Sequence, residues 1–248
     1  ESVSAPAVCL GNDAMFEVAY ESAGAAEINW LNASGDTLGI GNPFAIENAG
    51  WDDAQAYTVI VAYNGCQSEP AAFEFDLVPP EDLEVIDANG DPIDADQICQ
   101  GDGWEITGTG PAGTNWNWNG PLNLSTANAS VTLNNAQPDA SGWYTVSGSV
   151  GTCPMNPDSV YLEVYPTPEA PVLTGFDEIC EGSDWSLSGS TNGSGTIHWF
   201  HPFWGDFEGT DWYFSGVPLG ADGTYEAYVI ESNCPSPIAS GILTVVPL

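Results

Sequence analysis

Apolar residues along this chain come in short runs that alternate with polar ones. "YTVIVAY" (57–63), "SVYLEVY" (159–165) and "YEAYVIES" (225–232) are the clearest, and Gly, Pro, Asn and Asp interrupt them. Period-two alternation is the signal of half-buried β-strands. No convincing helical stretch competes with it, so the expectation is an all-β chain. With 43% hydrophobic residues in 248, the chain buries real cores and is not a disordered polymer. No apolar run of 18 residues exists to span a membrane, and "ESVSAPAVC" at the start has neither a basic region nor an apolar core. The chain therefore reads as mature or excised.

The chain resembles itself. "CLGNDAMFEV" from Cys9, "CQGDGWEITG" from Cys99 and "CEGSDWSLSG" from Cys180 share C-x-G, polar residues and a strand-like run. A Trp follows 21, 19 and 19 residues after each Cys, at Trp30, Trp118 and Trp199. A Tyr follows 27, 26 and 26 residues later, at Tyr57, Tyr144 and Tyr225, and a second Cys nine residues after that, at Cys66, Cys153 and Cys234. Three near-identical spacings in series mark three copies of one unit. Proline clusters after each last strand set the expected boundaries at 1–79, 80–167 and 168–248. Each unit has the size of a small β-sandwich.

Six cysteines in three similarly spaced pairs point to disulfides and an oxidising compartment. Zinc is disfavoured, because no C-x-x-C occurs and the spacings are too long for a local knuckle. The order Cys, Trp, Tyr, Cys resembles the immunoglobulin fold with both cysteines displaced, because there the Tyr lies two residues before the second Cys and here it lies nine. With strands B and F taken as antiparallel, the two displacements compensate. The reading is therefore three tandem immunoglobulin-like β-sandwiches, each with one disulfide at its edge, the pairs within a unit being Cys9 with Cys66, Cys99 with Cys153 and Cys180 with Cys234. Apolar pairs would replace the central pin: Phe16 with Val59, Ile106 with Val146, and Leu187 with Ala227.

"CLG", "CQG" and "CEG", then "DASGWY" and "GADGTY", then "CQS" and "CPS" also resemble the tandem Ig-like repeats of Bacteroidota-type surface proteins, which accompany a gliding-associated C-terminal secretion domain. Unit 2 departs with "CPMN", and unit 1 has "DDAQAY" where the Gly should be. The resemblance implies an extracellular, surface-bound architecture more than an activity.

Charge narrows the partners. The chain has 35 Asp plus Glu and no Lys or Arg, a formal net charge of −35. The acids divide 12, 12 and 11 over the three units, so this is not an acidic tail on a neutral body. Binding nucleic acid needs cations to neutralise phosphates, and an anionic membrane surface is disfavoured for the same reason. The carboxylates must be exposed, hydrogen-bonded or bound to metal ions.

Unit 3 carries "HWFHPFWGDFEGTDWYF" (198–214), two histidines and a dense set of aromatics. Laid against unit 1's "WLNASGDTLGIGNPF", Trp199 matches Trp30, Gly205-Asp206 match Gly35-Asp36, Gly209 matches Gly39, and Phe214 matches the core residue Phe44. The surplus is Phe200, Phe203, Trp204, Phe207, Trp212 and Tyr213. Alternation puts His198, Phe200 and Tyr213 outward and Phe203, Trp204 and Phe207 near a turn. These residues with His198 are the candidate interface or ligand residues, for a subunit contact, a core extension or sugar stacking. His198 and His201 with Asp206 and Glu208 form a weaker metal candidate, because residues i and i+3 of a strand face opposite ways.

The stretch "DANGDPIDADQ" (87–97) offers hard oxygen ligands for calcium in Asp87, Asn89, Asp91, Asp94 and Asp96, against the plainer reading of a solvated acidic turn. Sequons stand at Asn32, Asn123, Asn128 and Asn192. Catalysis finds little support: there is no G-x-S-x-G and no H-E-x-x-H, and among the 35 acids nothing singles out a carboxylate pair for glycoside hydrolysis. The expectation is a non-catalytic extracellular or cell-surface structural protein, without cofactor unless calcium, that self-associates as part of a fibre, pilus-like filament or adhesin stalk. A glycan-binding adhesin module is the alternative. Unit 1 has only eight residues before its first Cys, against 19 in unit 2 from Pro80 and 12 in unit 3, so a missing first strand and polymerisation by strand addition are expected.

Overall fold

In Ala14–Ala19, Ala14, Phe16 and Val18 are buried and the residues between them exposed, and Trp104–Thr109 and Trp185–Ser190 repeat the alternation. Each of these is strand B of one unit, the middle of a three-stranded A-B-E sheet. The sheets are Ser2–Ser4, Ala14–Ala19 and Phe44–Ile46; Glu84–Ile86, Trp104–Thr109 and Ser130–Leu133; and Val172–Thr174, Trp185–Ser190 and Asp211–Phe214. The computed structural model describes residues 2–4, 7–21 and 24–248.

The facing sheet runs A′-G-F-C-C′. In unit 2 these strands are Ala95–Cys99, Asp158–Tyr165, Gly142–Val150, Asn115–Gly120 and Leu124–Thr126, and in unit 3 Glu178–Cys180, Ala239–Val246, Gly223–Glu231, Thr196–His201 and Gly205–Glu208. Unit 1 keeps F (Ala56–Tyr63), C (Glu27–Leu31) and C′ (Thr37–Ile40), but its G strand is split. Ala71–Glu74 pairs with F, and Leu77–Val78 pairs with A′ (Val8–Cys9). The fold is thus three immunoglobulin-like sandwiches in series, each with its own apolar core.

The repeated residues each have a structural task. Trp30, Trp118 and Trp199 are fully buried, and their indole N–H groups donate to Gly41, Ala129 and Gly209 carbonyls at 2.7, 3.2 and 2.9 Å. Tyr57, Tyr144 and Tyr225 donate their hydroxyls to the carbonyls of Asp53, Ala140 and Ala221, four residues back, at 2.8, 2.9 and 3.2 Å, forming the tyrosine corner that closes strand E onto F. The Gly of C-x-G sits at φ +84°, +94° and +77°, where a side chain is strained, and turns the chain from A′ into B. The Ser of C-x-S bridges backbone groups: Ser68 and Ser236 accept from Val61 and Val229 N–H and donate to the Glu69 and Pro237 carbonyls. The expected pin residues, Phe16 and Val59, Ile106 and Val146, and Leu187 and Ala227, are all buried.

Two expectations fail. Unit 1 does possess strand A: Ser2–Ser4 runs antiparallel to Ala19–Glu17, as Glu84–Ile86 runs against Thr109–Thr107. Eight residues suffice for A and A′. The longer approach in unit 2 is an inserted turn, Asp87 to Asp91, closed by the Asp87 N–H donating to the Asp91 carbonyl. The open edge on which strand addition rested is occupied by the chain's own residues.

The second failure concerns the bridges. A′ runs parallel to G and meets its last residues, pairing Cys9 with Val78, Cys99 with Tyr165 and Cys180 with Val246. The second cysteine lies in the F–G hairpin, where Cys66 faces Tyr63, Cys153 faces Val150 and Cys234 faces Glu231. The two cysteines of a unit therefore bracket strand G from opposite ends. Eight residues of G at about 3.3 Å each hold them roughly 26 Å apart, whereas a disulfide needs Cα atoms within about 7 Å. Strand B is antiparallel to A and F is antiparallel to G; since A leads into A′ and A′ is parallel to G, B and F run the same way. Displacing one cysteine to the start of B and the other to the end of F thus drives them apart. What meets is the exit end of one unit and the hairpin of the next: Cys9 bonds Cys153 and Cys99 bonds Cys234, with Cα separations of 5.2 and 5.5 Å. Cys66 and Cys180 are free and exposed.

Candidate functional site

With no Lys or Arg in the chain, carboxylates serve as hydrogen-bond acceptors for the backbone and for neighbouring donors. Asp158 accepts from Val85 N–H at 2.7 Å, Asp222 from Val245 N–H at 2.8 Å, and Asp102 from Cys99 N–H at 3.1 Å. Among the described residues, the one pairing of a carboxylate with a protonatable base is His198 Nδ1 with Glu208 Oε1, at 3.1 Å.

That pair belongs to a groove on the outer face of unit 3's larger sheet. Strand C presents His198 and Phe200, C′ presents Asp206 and Glu208, and F presents Tyr228, enclosing about 520 Å³. The His198 ring stacks on Tyr228 with centroids 5.3 Å apart, and Phe200 is exposed. An aromatic floor edged by carboxylates suits a neutral, hydroxyl-rich ligand. Tyr228 was missed in the sequence, although period two along "YEAYVIE" places it outward with Glu226.

The other candidates do not join this groove. Tyr213 is exposed on strand E, in the opposite sheet, and its hydroxyl donates to Asp184 Oδ2 at 2.6 Å. Asp184 also accepts from the Ser215 hydroxyl and Gly216 N–H; these bonds, led by that from Tyr213, hold its carboxyl below the ordinary range. Phe203 and Trp204 form the C–C′ turn and pack edge to face at 4.8 Å. The Trp204 indole donates to the Tyr225 hydroxyl at 3.0 Å, and burial pushes the Tyr225 pKa up to about 12. Phe207 lies flat against Trp199 at 5.9 Å and packs on the core with Trp212.

The register of the aromatic stretch is shifted by two residues from the expected alignment. Phe16 pairs with Phe44 in unit 1, and its counterpart Leu187 pairs with Trp212; Ala14 pairs with Ile46, and Trp185 with Phe214. Trp212 is thus the inherited core position and Phe214 replaces Ile46. Likewise Gly209, whose carbonyl accepts from Trp199, answers to Gly41 and not to Gly39, and Phe207 stands in the place of Gly39. The indole N–H of Trp212 is buried and meets no acceptor among the described residues.

His201 faces inward, away from His198: it is buried and stacks on Tyr225 at 3.9 Å, and burial lowers its pKa. In the acidic stretch, Asp87 caps a turn by accepting from Asn89 and Asp91 N–H at 2.8 and 2.9 Å, and Asp96 accepts from the Trp104 indole at 2.9 Å. Asp94 passes its carbonyl to Tyr161 N–H. Among the described residues, no three His, Cys, Asp or Glu side chains are placed together to hold a metal ion. Of the sequon residues, Asn123, Asn128 and Asn192 are exposed, and Asn32 anchors its own turn by accepting from Ser34 and Asp36 N–H.

No protein-family model matches the chain, and no curated protein matches it by sequence. Solved structures do match in shape. The I-band fragment I67–I69 of titin is 13% identical, with a TM-score of 0.51, covering 98% of this chain and 95% of that one. Three N-terminal domains of the outer capsid protein Hoc of bacteriophage RB49 are 11% identical, again at 0.51, covering 100% and 98%. Likeness at this identity speaks to fold alone: the chain has the architecture of three tandem immunoglobulin-like domains.

Proposed function

We propose that the chain is a non-catalytic extracellular structural protein, a segment of a surface fibre or adhesin stalk. The observation that carries this reading is the pair of disulfides between successive units. Bonds placed between sandwiches brace an array, and they belong to an oxidising compartment. The Gly of C-x-G, the Tyr of G-x-Y and the Ser of C-x-S, each with a structural task here, favour kinship with Bacteroidota-type surface repeats. Negative-stain electron microscopy of the native material tests the reading: fibres or stalks are expected, and dispersed single molecules would overturn it.

The unit 3 groove supports a second reading, glycan binding, with Phe200 and Tyr228 as stacking rings and Asp206 and Glu208 as hydroxyl acceptors. A glycan array probed with the wild type and with Phe200→Ala decides it; equal retention by both proteins, or none by either, removes the groove from function.

A further inference from the structure

The two bridges obey one rule: the first cysteine of a unit, at the end of A′, bonds the hairpin cysteine of the following unit. The rule leaves over the hairpin cysteine of unit 1 and the A′ cysteine of unit 3. These are Cys66 and Cys180, the two free cysteines, and both are exposed. We propose that Cys180 of one copy bonds Cys66 of a second copy, continuing the internal arrangement head to tail into a covalent polymer. This deepens the fibre reading and rests on it.

Three observations support the second copy as occupant. The same two positions bond at both internal junctions, so the reactive geometry is built into the repeat. The sulfur of the first cysteine also meets the residue before the hairpin cysteine in both cases, Thr152 Oγ1 and the Asn233 carbonyl, each at 3.8 Å. Exposure differs with bonding: the bonded Cys9 and Cys234 are 4% and 1% exposed and the bonded Cys99 and Cys153 half-buried, while Cys180 and Cys66 lie open. Finally, exposed apolar side chains stand among the carboxylates at the Cys180 end of unit 3. Cys180 lies beside Val246, Val245 N–H is held by Asp222, and Asp222 closes the corner turn against which Phe203 packs at Gly220. Phe203, Trp204, Leu219 and Val246 are exposed there. One molecule thus presents both halves of a heterologous contact, which closes on itself or propagates.

The bond forms by thiol–disulfide exchange with a low-molecular-weight disulfide such as oxidised glutathione. The Cys66 thiolate attacks it and releases one thiolate. The Cys180 thiolate of the second copy then attacks the mixed disulfide and releases the other. Two protein thiols are oxidised and lose their protons, and one small disulfide is reduced to two thiols.

The test incubates the purified 248-residue chain with oxidised glutathione, alkylates remaining thiols and runs non-reducing electrophoresis. A ladder of multimers is expected, collapsing to monomer with reductant. Cys66→Ser or Cys180→Ser alone abolishes the ladder, and the two variants mixed give one dimer band and nothing larger. Both side chains are exposed, and near-UV circular dichroism checks that each variant is folded. Linkage is mapped with a Glu- or Asp-directed protease, since trypsin has no site in a chain without Lys or Arg. A dominant Cys66–Cys180 peptide supports the proposal. Dominant Cys66–Cys66 or Cys180–Cys180 peptides, a monomer with both thiols alkylated, or native material in which Cys180 joins a further unit of the same chain overturns it. Microscopy separates this from the parent reading: fibres persisting in the double variant leave the fibre standing without the bond, and a ladder without fibres leaves the bond without the fibre.

Discussion

Breaking the Cys9–Cys153 bridge should weaken two sandwiches and spare the third. Cys9 is in register with Val78, where the chain leaves unit 1, so the bridge fastens Cys153 to that exit point. When unit 2 unfolds on a folded unit 1, the stretch between Val78 and Cys153, about 75 residues, is a closed loop; the chain-entropy relation makes that closure worth about 4 kcal/mol. When unit 1 unfolds on a folded unit 2, the stretch from Cys9 to the linker, about 70 residues, is closed in the same way and for nearly the same gain. The Cys9→Ser/Cys153→Ser double variant should therefore lose about 4 kcal/mol in both units. Unit 3, tied by Cys99–Cys234, should be unchanged. Native-state hydrogen exchange reads the three units separately through amides of their F strands, Ala56–Tyr63, Gly142–Val150 and Gly223–Glu231. Cys9→Ser alone should weaken both units equally, whereas a bridge within a sandwich would make that single variant weaken unit 1 only; losses under about 1 kcal/mol everywhere would refute the entropic argument.

Other outcomes follow from the cores and the charge. Tyr225→Phe should cost about 2–3 kcal/mol, because it strands the buried Ala221 carbonyl and frees the Trp204 donor, against about 1–2 for Tyr57→Phe, which strands one carbonyl; urea unfolding followed by fluorescence ranks them, and the reverse order contradicts the network. Trp212→Phe, which removes an unpaired buried N–H and installs the residue unit 1 uses, should cost within about 1 kcal/mol, while Trp199→Phe, which breaks a bond to Gly209, should cost about 2 or more. Equal costs in thermal melts would contradict this. Burial lowers the His201 pKa, so the unfolded chain takes up its proton near pH 6.5 before the folded one does. Stability relative to His201→Phe should be level above about pH 7 and fall as the pH drops below about 6.5, and a flat difference in melting temperature down to about pH 5 would refute it. Spread over 13,728 Å² of surface, 35 carboxylates stand about 20 Å apart, between the screening lengths of about 30 Å at 0.01 M salt and about 10 Å at 0.1 M. Melting temperature should thus climb below about 0.1 M sodium chloride and level off above it, and a continued steep rise would point to specific ion binding.

The sandwiches were legible because their determinants are local. A Trp that fills the core, a Tyr that reaches four residues back, and a Gly forced to positive φ recur at fixed spacing whatever surrounds them. The bridges were not, because spacing records distance along the chain and says nothing about which end of a strand faces the neighbouring unit; a wrong strand direction was enough to pair Cys9 with Cys66. Strand A of unit 1 was hidden by a comparison with unit 2, whose extra length is the Asp87 turn. The aromatic stretch misled by two residues because its match to unit 1 was anchored on glycines, and Gly39 and Gly41 are interchangeable by eye. Only strand pairing shows that Phe200 and Tyr213 lie on opposite faces and that Tyr228 joins the groove.

The interleaving of the bridges has a mechanical consequence. Cys153 stands in the hairpin just ahead of strand G of unit 2, and about 27 residues further on stands Cys180, so the covalent route through that unit is strand G with the connections on either side of it. At about 3.4 Å per residue this route cannot exceed roughly 90 Å however hard it is pulled. For force drawn between Cys9 and Cys180, the shortest covalent route crosses to Cys153 and passes along G, and the remaining strands of unit 2 lie off it. A force that would unravel an unbridged array one sandwich at a time meets here, between these two points, a length capped by the Cys9–Cys153 bond.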